Sequence, residues 1–139
     1  MRLFSITGRL VYRNVSHCRI KWSGKSRSKA QYKVKQFFKR YWFDHICYEE
    51  FPVYGTMMKI DLLNASKKIA IEVDGEQHEE FNPFFHQGSR LNYLYSIGRD
   101  YKKEEWLEKN GFKLIKIKIS EIDGLCPEFI KQKFGIDLV

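Results

Sequence analysis

Three acidic residues occupy two neighbouring segments whose apolar patterns predict β-strands. Asp61 lies in the first segment, where Ile60 and Leu62 are expected on one face and Asp61 on the other. Glu72 and Asp74 lie two residues apart in the second, so both side chains should project from the same face of that strand. Crowded carboxylates repel one another, and a hard divalent cation such as Mg²⁺, or Mn²⁺ in its place, would relieve that repulsion. The pattern therefore predicts a metal site formed by Asp61, Glu72 and Asp74.

A histidine follows the second strand at short range. Gly75 allows the chain to turn sharply after Asp74, which would bring His78 close to the carboxylates. Histidine accepts and donates protons near neutral pH, so His78 is the candidate general acid or base. The alternative is that Glu72 and Asp74 lie exposed on an edge strand and pair with nearby lysines, with His78 a surface residue. On these residues alone the two interpretations carry about equal weight.

The positive charge of the chain is concentrated in its first third. Residues 1–43 hold twelve Lys and Arg and no acid, whereas residues 44–139 hold thirteen basic and seventeen acidic residues, for a net charge of +8. Aromatic residues alternate with the cations of residues 1–43, a composition that suits a surface binding the phosphates of a polyanion. The alternative is an ordinary solvated basic surface.

The hydrophobic pattern predicts one α+β domain spanning residues 1–139, since a chain of this length can bury a single core. Residues 1–27 are rich in β-branched and aromatic residues and predict two or three short strands that include a hairpin. Ser28 is placed to cap a helix that carries Phe38 and Tyr41 on its apolar face. The later elements are predicted as strands near 46–53, 57–64 and 68–74, a helix near 88–110, a strand near 112–119 and a short helix within 120–139. Together they predict one mixed sheet with helices packed on it.

The composition argues against several classes of protein. Aromatic residues make up 16% and charged residues 30% of the chain, as in folded proteins rather than disordered ones. No apolar run approaches the roughly 20 residues of a membrane span, and the N-terminus lacks the apolar core of a secretory signal. Three widely separated cysteines argue against a disulfide scaffold and a structural zinc site. We therefore expect a cytoplasmic protein with no membrane partner.

One longer motif joins these features. Its parts, after the acid at position 61, are IEVDGEQH at 71–78, Arg99-Asp100, Leu107 and Gly111-Phe112. This pattern resembles the very-short-patch-repair-like branch of the PD-(D/E)XK nucleases, which also includes the EDxHD homing endonucleases. The resemblance covers roughly residues 28–119, and its specificity comes from the joint occurrence of the parts.

The resemblance implies a restriction-endonuclease-like fold, a mixed β-sheet flanked by helices, to which the N-terminal hairpin is an addition. It also implies an endonuclease that hydrolyses DNA phosphodiester bonds with Mg²⁺. The positions that match the family are Asp61 as a metal-binding Asp, Glu72 as the second acidic residue, His78 as the catalytic histidine and Asp100 as the last acidic residue. The broader superfamily has a lysine where this chain has Asp74, and this branch tolerates that change because the histidine does the proton work.

One position departs from the family pattern. The branch tends to carry a Glu on its N-terminal helix, and the candidate position here is Gln31, unless Glu49 or Glu50 on the next strand substitutes. An amide can coordinate a metal or position water but cannot act as a base. Either activity is therefore reduced, or Gln31 has no part in the chemistry.

The leading hypothesis is a Mg²⁺-dependent DNA endonuclease of a homing, repair, restriction or phage type, acting in a bacterial or phage-infected cell. A homodimer would be one route to double-strand cleavage. The cations predicted to contact DNA are Arg9, Arg13, Arg19, Lys21, Lys25, Arg27, Lys29 and Arg99. One alternative is a DNA-binding protein with a nuclease fold that has lost turnover, which the departure at Gln31 makes credible. A weaker one is a metal-free interaction domain.

Overall fold

The helices and strands follow the predicted order. The structure, a computed structural model, describes residues 1–75 and 90–139, except for the side chains of 90–93 and 96. The elements are β1 (Arg2–Phe4), β2 (Leu10–Tyr12), α1 (Lys29–Trp42), β3 (Cys47–Pro52), β4 (Lys59–Asn64), β5 (Ile69–Asp74), α2 (Arg90–Lys109), β6 (Lys113–Lys118) and α3 (Pro127–Phe134). No helix within the described ranges is long and apolar enough to cross a membrane.

A four-stranded mixed sheet forms the centre of the molecule, in the order β3-β4-β5-β6. The first three strands are antiparallel neighbours, and β6 pairs with β5 in parallel after the chain has passed through α2. Because β5 is an interior strand, its residues have neighbouring strands on both sides. The separate β1–β2 hairpin is antiparallel. The predicted α+β class, with a mixed sheet, flanking helices and an N-terminal hairpin, is confirmed.

Two clusters of buried side chains cover the two faces of the sheet. One cluster packs Trp106 and Leu107 of α2 against sheet residues such as Leu63, and it also includes Leu3 of the hairpin. The other packs Phe38 of α1 against sheet residues such as Ile71. The hairpin therefore lies on the side of the sheet that α2 covers.

Local signals fix the ends of several elements. The Ser28 hydroxyl accepts a hydrogen bond from the backbone N–H of Gln31 at 3.1 Å, which confirms Ser28 as the cap of α1. The chain leaves α2 through Gly111, whose φ of +80° suits a residue without a Cβ. Of the two or three N-terminal strands predicted, two form, because Ser16–Cys18 form a 3-10 turn and Arg19 makes only an isolated bridge to Tyr48.

Lys35 is buried, whereas an ordinary solvated basic surface would leave its side chain in water. Its side chain is fully buried, and its ammonium group donates to the carbonyl oxygens of Lys21 and Gly24, both at 2.9 Å. It also donates to Glu49 on β3 at 3.0 Å. Glu49 in turn accepts from the backbone N–H of Lys21 at 2.7 Å. This buried ion pair anchors the loop of residues 21–28 to helix α1 and to the sheet.

We expect Lys35→Ala to lower the free energy of unfolding by about 3–5 kcal/mol, because it leaves the Glu49 carboxylate without its charged partner. The matched control is Lys33→Ala on the same helix, whose side chain is exposed and whose loss should change stability little. Urea unfolding of both variants measures the difference. Equal stabilities would show that the buried ion pair does not hold the loop.

Candidate active site

The regular backbone pairing of β4 with β5 ends at the acidic residues Asp61 and Glu72. The backbone register runs from Asn64↔Ile69 to Leu62↔Ile71. Beyond Leu62↔Ile71, carboxylate oxygens rather than backbone carbonyls accept the hydrogen bonds between the two strands. Asp61 Oδ2 accepts from the Val73 N–H at 2.9 Å, and Glu72 Oε2 accepts from the Asp61 N–H at 3.3 Å. Both carboxylates are thus held by backbone groups of the opposite strand, on the two central strands of the sheet.

The alternation of side chains is irregular at this level of the sheet. Ile60 packs in the cluster under α2 and Leu62 in the cluster under α1, so the expectation that they share a face is wrong. In the neighbouring strand Glu50 has φ of +49°, and both Glu49 and Glu50 bond to side chains of α1. A left-handed residue breaks the two-residue period of a strand, and it costs on the order of 1–3 kcal/mol. Strain of this kind is often concentrated at functional sites.

Two cations from distant parts of the chain neutralise the carboxylates. The Arg27 guanidinium lies 3.3 Å from Asp61 Oδ1, and the Lys103 ammonium lies 2.8 Å from Glu72 Oε1. Asp61 is 2% and Glu72 7% exposed to solvent. Burial, and next the negative charge of Asp61, raise the pKa of the Glu72 carboxyl to about 8, while Lys103 opposes the shift. The two acids therefore share a poorly solvated environment in which negative charge is costly.

Asp61 and Glu72 lie in the wall of a cavity of about 320 Å³. It is lined by Arg27, Met57, Met58, Lys59, Asp61, Glu72, Val73, Asp74, Arg99, Asp100 and Lys103. Its charged walls come from the loop before α1, from β4 and β5, and from the middle of α2. Such a combination of carboxylates and cations can hold a phosphate group beside acidic groups.

Most predicted catalytic residues meet at this cavity. Asp61, Glu72, Asp74 and Asp100 all line it. The alternative of an exposed edge pair does not hold for Glu72, which is buried on an interior strand. His78 lies outside the described residues, so its role stays a prediction.

Gln31 does not line this cavity. Its side chain is 1% exposed, and its Nε2 donates to Glu50 Oε1 at 3.0 Å. Its Oε1 has no hydrogen-bond partner among the described residues. The amide therefore contacts Glu50 in β3, and Glu49 is held by Lys35.

The predicted DNA contacts divide into three groups. Arg27 and Arg99 line the cavity with the carboxylates. Lys25 and Lys29 line a second cavity of about 510 Å³ at the N-terminal end of α1, where the Ser26 hydroxyl has no partner within the described part of the chain. The remaining four cations are exposed and lie near the hairpin or after the 3-10 turn. They are Arg9, Arg13, Arg19 and Lys21. The loop 21–28 and the start of α1 thus carry cations into both cavities.

Comparison with known proteins gives distant relatives and no family. No protein-family model matches the chain, and no solved structure matches it. A stretch of 75 residues is 35% identical to uncharacterized protein 094L of Frog virus 3 (isolate Goorha), covering 52% of this chain and 48% of that protein. A stretch of 77 residues is 35% identical to uncharacterized protein 033L of Invertebrate iridescent virus 3, covering 51% of this chain and 38% of that protein. The match therefore spans about half of the first viral relative and less of the second.

The principal residue given no firm role by the sequence was Lys103. In the sequence, Arg99, Lys102 and Lys103 fall on one predicted helix, where a phosphate contact and an ordinary solvated face are equal alternatives. The spacing of Lys103, four residues from Arg99 and three from Asp100, was the available signal, because such residues share a face of a helix. The structure shows that this face is the wall of the acidic cavity.

The donor set fits a hard cation. Asp61 and Glu72 present carboxylate oxygens from adjacent strands, and Mg²⁺ commonly uses one or two protein carboxylates together with water and substrate phosphate. Burial and the neighbouring Asp61 carboxylate raise the pKa of Glu72 although Lys103 lies beside it, so a cation bound at the pair would further offset the cost of the negative charge. Across residues 1–75 and 90–139, no group of three or more acidic, His or Cys side chains is close enough to hold a metal ion. The part of Asp74 in metal binding therefore stays a prediction.

Proposed function

We propose that this protein is a Mg²⁺-dependent DNA endonuclease with a restriction-endonuclease-like fold. The observation that carries the proposal is the pair of buried carboxylates, Asp61 and Glu72, which replace the strand pairing at the centre of the sheet. They face a cavity that also contains Arg27, Arg99 and Lys103. Acidic ligands and phosphate-binding cations in one cavity are what hydrolysis of a phosphodiester requires.

The carboxylates of Asp61 and Glu72 would hold the metal. When bound, Mg²⁺ would stabilise the negative charge that develops on the phosphate and lower the pKa of a water ligand. Arg27 and Arg99 bind phosphate oxygens in this scheme, since guanidinium groups match phosphate geometry. Lys103 keeps Glu72 oriented toward the cavity and adds positive charge beside the reacting phosphate.

The proton transfers are assigned to His78 from the sequence. Its position directly after the β5 acids favours this role, and Asp100, which lines the same cavity, would orient it or a basic neighbour. Neither Gln31 nor Glu49 is needed for this scheme, because both contribute to packing between α1 and β3.

A nuclease-fold DNA-binding protein without turnover is the second candidate. It is favoured by the contacts of the acidic pair, since Arg27 and Lys103 already neutralise Asp61 and Glu72 within the chain. In that case the cavity would bind a phosphate through its cations, and the carboxylates would serve only to position them.

Incubation of supercoiled plasmid with the protein separates these candidates. With Mg²⁺ we expect nicked or linear product, and with EDTA we expect none while binding to DNA persists. Binding without cleavage in Mg²⁺ and in Mn²⁺ would favour the DNA-binding candidate. Absence of both binding and cleavage would contradict both candidates.

Lys103→Met is expected to lower the single-turnover cleavage rate by about 10²–10³, the range typical for loss of one preorganised electrostatic group. The physical reason is the loss of the ammonium group that lies 2.8 Å from Glu72. Lys102→Met is the matched control, because Lys102 is the exposed neighbour on the same helix. Equal rates for the two variants would remove Lys103 from the site.

Reversing the charges of Lys25 and Lys29 to Glu should weaken DNA binding and flatten its dependence on salt. Each phosphate neutralised on duplex DNA contributes about −0.9 to the log–log slope, so loss of two contacts changes the slope by about 2. Lys67→Glu with Lys68→Glu is the control, since both lie exposed at the β4–β5 turn, at the far end of β4 from its Lys59 end at the cavity. Anisotropy titrations in EDTA measure binding alone. An unchanged slope in the Lys25 and Lys29 variant would show that the second cavity does not contact phosphate.

A further inference from the structure

The outer face of the N-terminal hairpin is apolar although it is open to solvent. Phe4 pairs with Leu10, and Arg2 pairs with Tyr12, so these four side chains share one face of the ribbon. Phe4, Leu10 and Tyr12 are 40%, 43% and 67% exposed. Exposed apolar groups grouped on one face of an ordered element indicate an interaction surface rather than chance exposure.

The hairpin is held firmly enough to present this face. The Trp106 indole N–H donates to the Phe4 carbonyl at 2.7 Å, and the Phe4 N–H donates to Asn110 Oδ1 at 2.8 Å. On the inner side Leu3 is buried in the core. The backbone of β1 is therefore tied to the last turns of α2, while the side chain of Phe4 points the other way.

The hairpin also contacts the β3–β4 turn, which contributes to the wall of the acidic cavity. The Ile6 N–H donates to the Tyr54 carbonyl at 2.8 Å, and a Cβ at Gly55 would approach Ile6 to 2.7 Å, so the hairpin packs tightly on the β3–β4 turn. The same turn carries Met57, which lines the cavity and is 97% exposed. Apolar groups therefore occur on the hairpin and again at the rim of the cavity.

We infer that the outer face of the hairpin binds unpaired bases of DNA, so that the substrate is DNA with unpaired nucleotides close to the bond that is cut. The choice of DNA rests on the proposed function. Unpaired bases expose aromatic faces that stack on Phe and Tyr side chains, whereas the phosphates of a paired duplex gain nothing from apolar groups. Arg2 on the same face and Arg9 beside Leu10 supply the positive charge that the backbone of such a strand needs.

Charge decides between DNA and a second copy of the chain as the occupant. Residues 1–43 contain no acid, so pairing two hairpin faces would bring two wholly basic segments together. A polyanion with exposed bases complements both the charge and the apolar groups of this face.

Anisotropy titrations in EDTA test the inference without cleavage. The probes are a fully paired duplex and the same duplex with a central bubble of unpaired thymines, at one salt concentration. The protein should bind the bubble more tightly, by roughly tenfold for each base that stacks. The double variant Phe4→Ser, Tyr12→Ser should lose this preference and keep its affinity for the paired duplex.

Phe43→Ser is the matched control. Phe43 is 66% exposed, close to the value for Tyr12, and it lies at the other end of α1 from Arg27, about 20 Å along the helix axis. It should keep the bubble preference. Should the double variant unfold, Tyr12→Ser alone provides the test, since an exposed side chain contributes little to the core, and Tyr12→Phe should retain the preference because it retains the ring.

Equal affinity of the unmodified protein for both probes would overturn the inference, as would an undiminished preference in the serine variants. A dimer in sedimentation experiments that the double variant dissociates, without a bubble preference, would assign the face to contact between copies and would also overturn it. The plasmid assay reports on the proposed function separately. A protein that prefers the bubble but never cleaves loses the nuclease proposal alone, and one that cleaves without preference loses the hairpin inference alone.

Discussion

Asp61→Asn is expected to abolish DNA cleavage while DNA affinity stays the same or rises. The carboxylate is the central metal ligand in the proposed mechanism, and an amide is a much weaker ligand for a hard cation. Removal of one negative charge from a cavity that receives a phosphate also reduces repulsion of the DNA. Because Asn keeps an oxygen that can accept from the Val73 N–H, the β4–β5 junction should persist.

Two measurements check this expectation. Plasmid cleavage in Mg²⁺ gives the activity, and anisotropy in EDTA gives the affinity. Asp44→Asn is the control for loss of an acid, because the Asp44 side chain is 87% exposed in the turn after α1. Full activity in Asp61→Asn would contradict the assignment of the metal site and, with it, the proposed mechanism. A loss of activity in Asp44→Asn as well would mean that net charge, rather than the site, is responsible.

His78→Ala is expected to lower the cleavage rate by about 10²–10⁴, the range for loss of a general acid or base. Metal affinity should change little, since the predicted ligands are Asp61 and Glu72. The pH dependence of the cleavage rate should change as well. An imidazole that transfers a proton makes the rate change with pH near neutrality, and removal of His78 should eliminate that change.

Single-turnover rates measured between about pH 6 and pH 9 test this assignment. His17→Ala is the control, because His17 is exposed in the 3-10 turn and does not line the acidic cavity. An unaltered rate and an unaltered pH profile in His78→Ala would make His78 a surface residue. The proton would then have to be transferred by another group at the cavity, and Asp74 or Asp100 would become the next residue to replace.

Local sequence by itself determined the elements and part of the site. The two-residue period of β5 places Glu72 and Asp74 on one face, and both line the cavity. The cap at Ser28 and the glycine after α2 were readable because a helix end depends on a few adjacent backbone groups. The concentration of cations in the first third was also visible at once, because it is a matter of composition.

Tertiary structure alone decided which of these residues meet. Arg27 reaches Asp61 from 34 residues away, and Lys103 reaches Glu72 from 31 residues away. Lys35 looked like any other lysine of the basic segment, yet it is fully buried against loop carbonyls and Glu49. Periodicity reports which side of its own element a residue occupies. The pairing of strands and the packing of helices decide which distant residue lies on that side and whether water is excluded there. A local window of sequence does not contain this information.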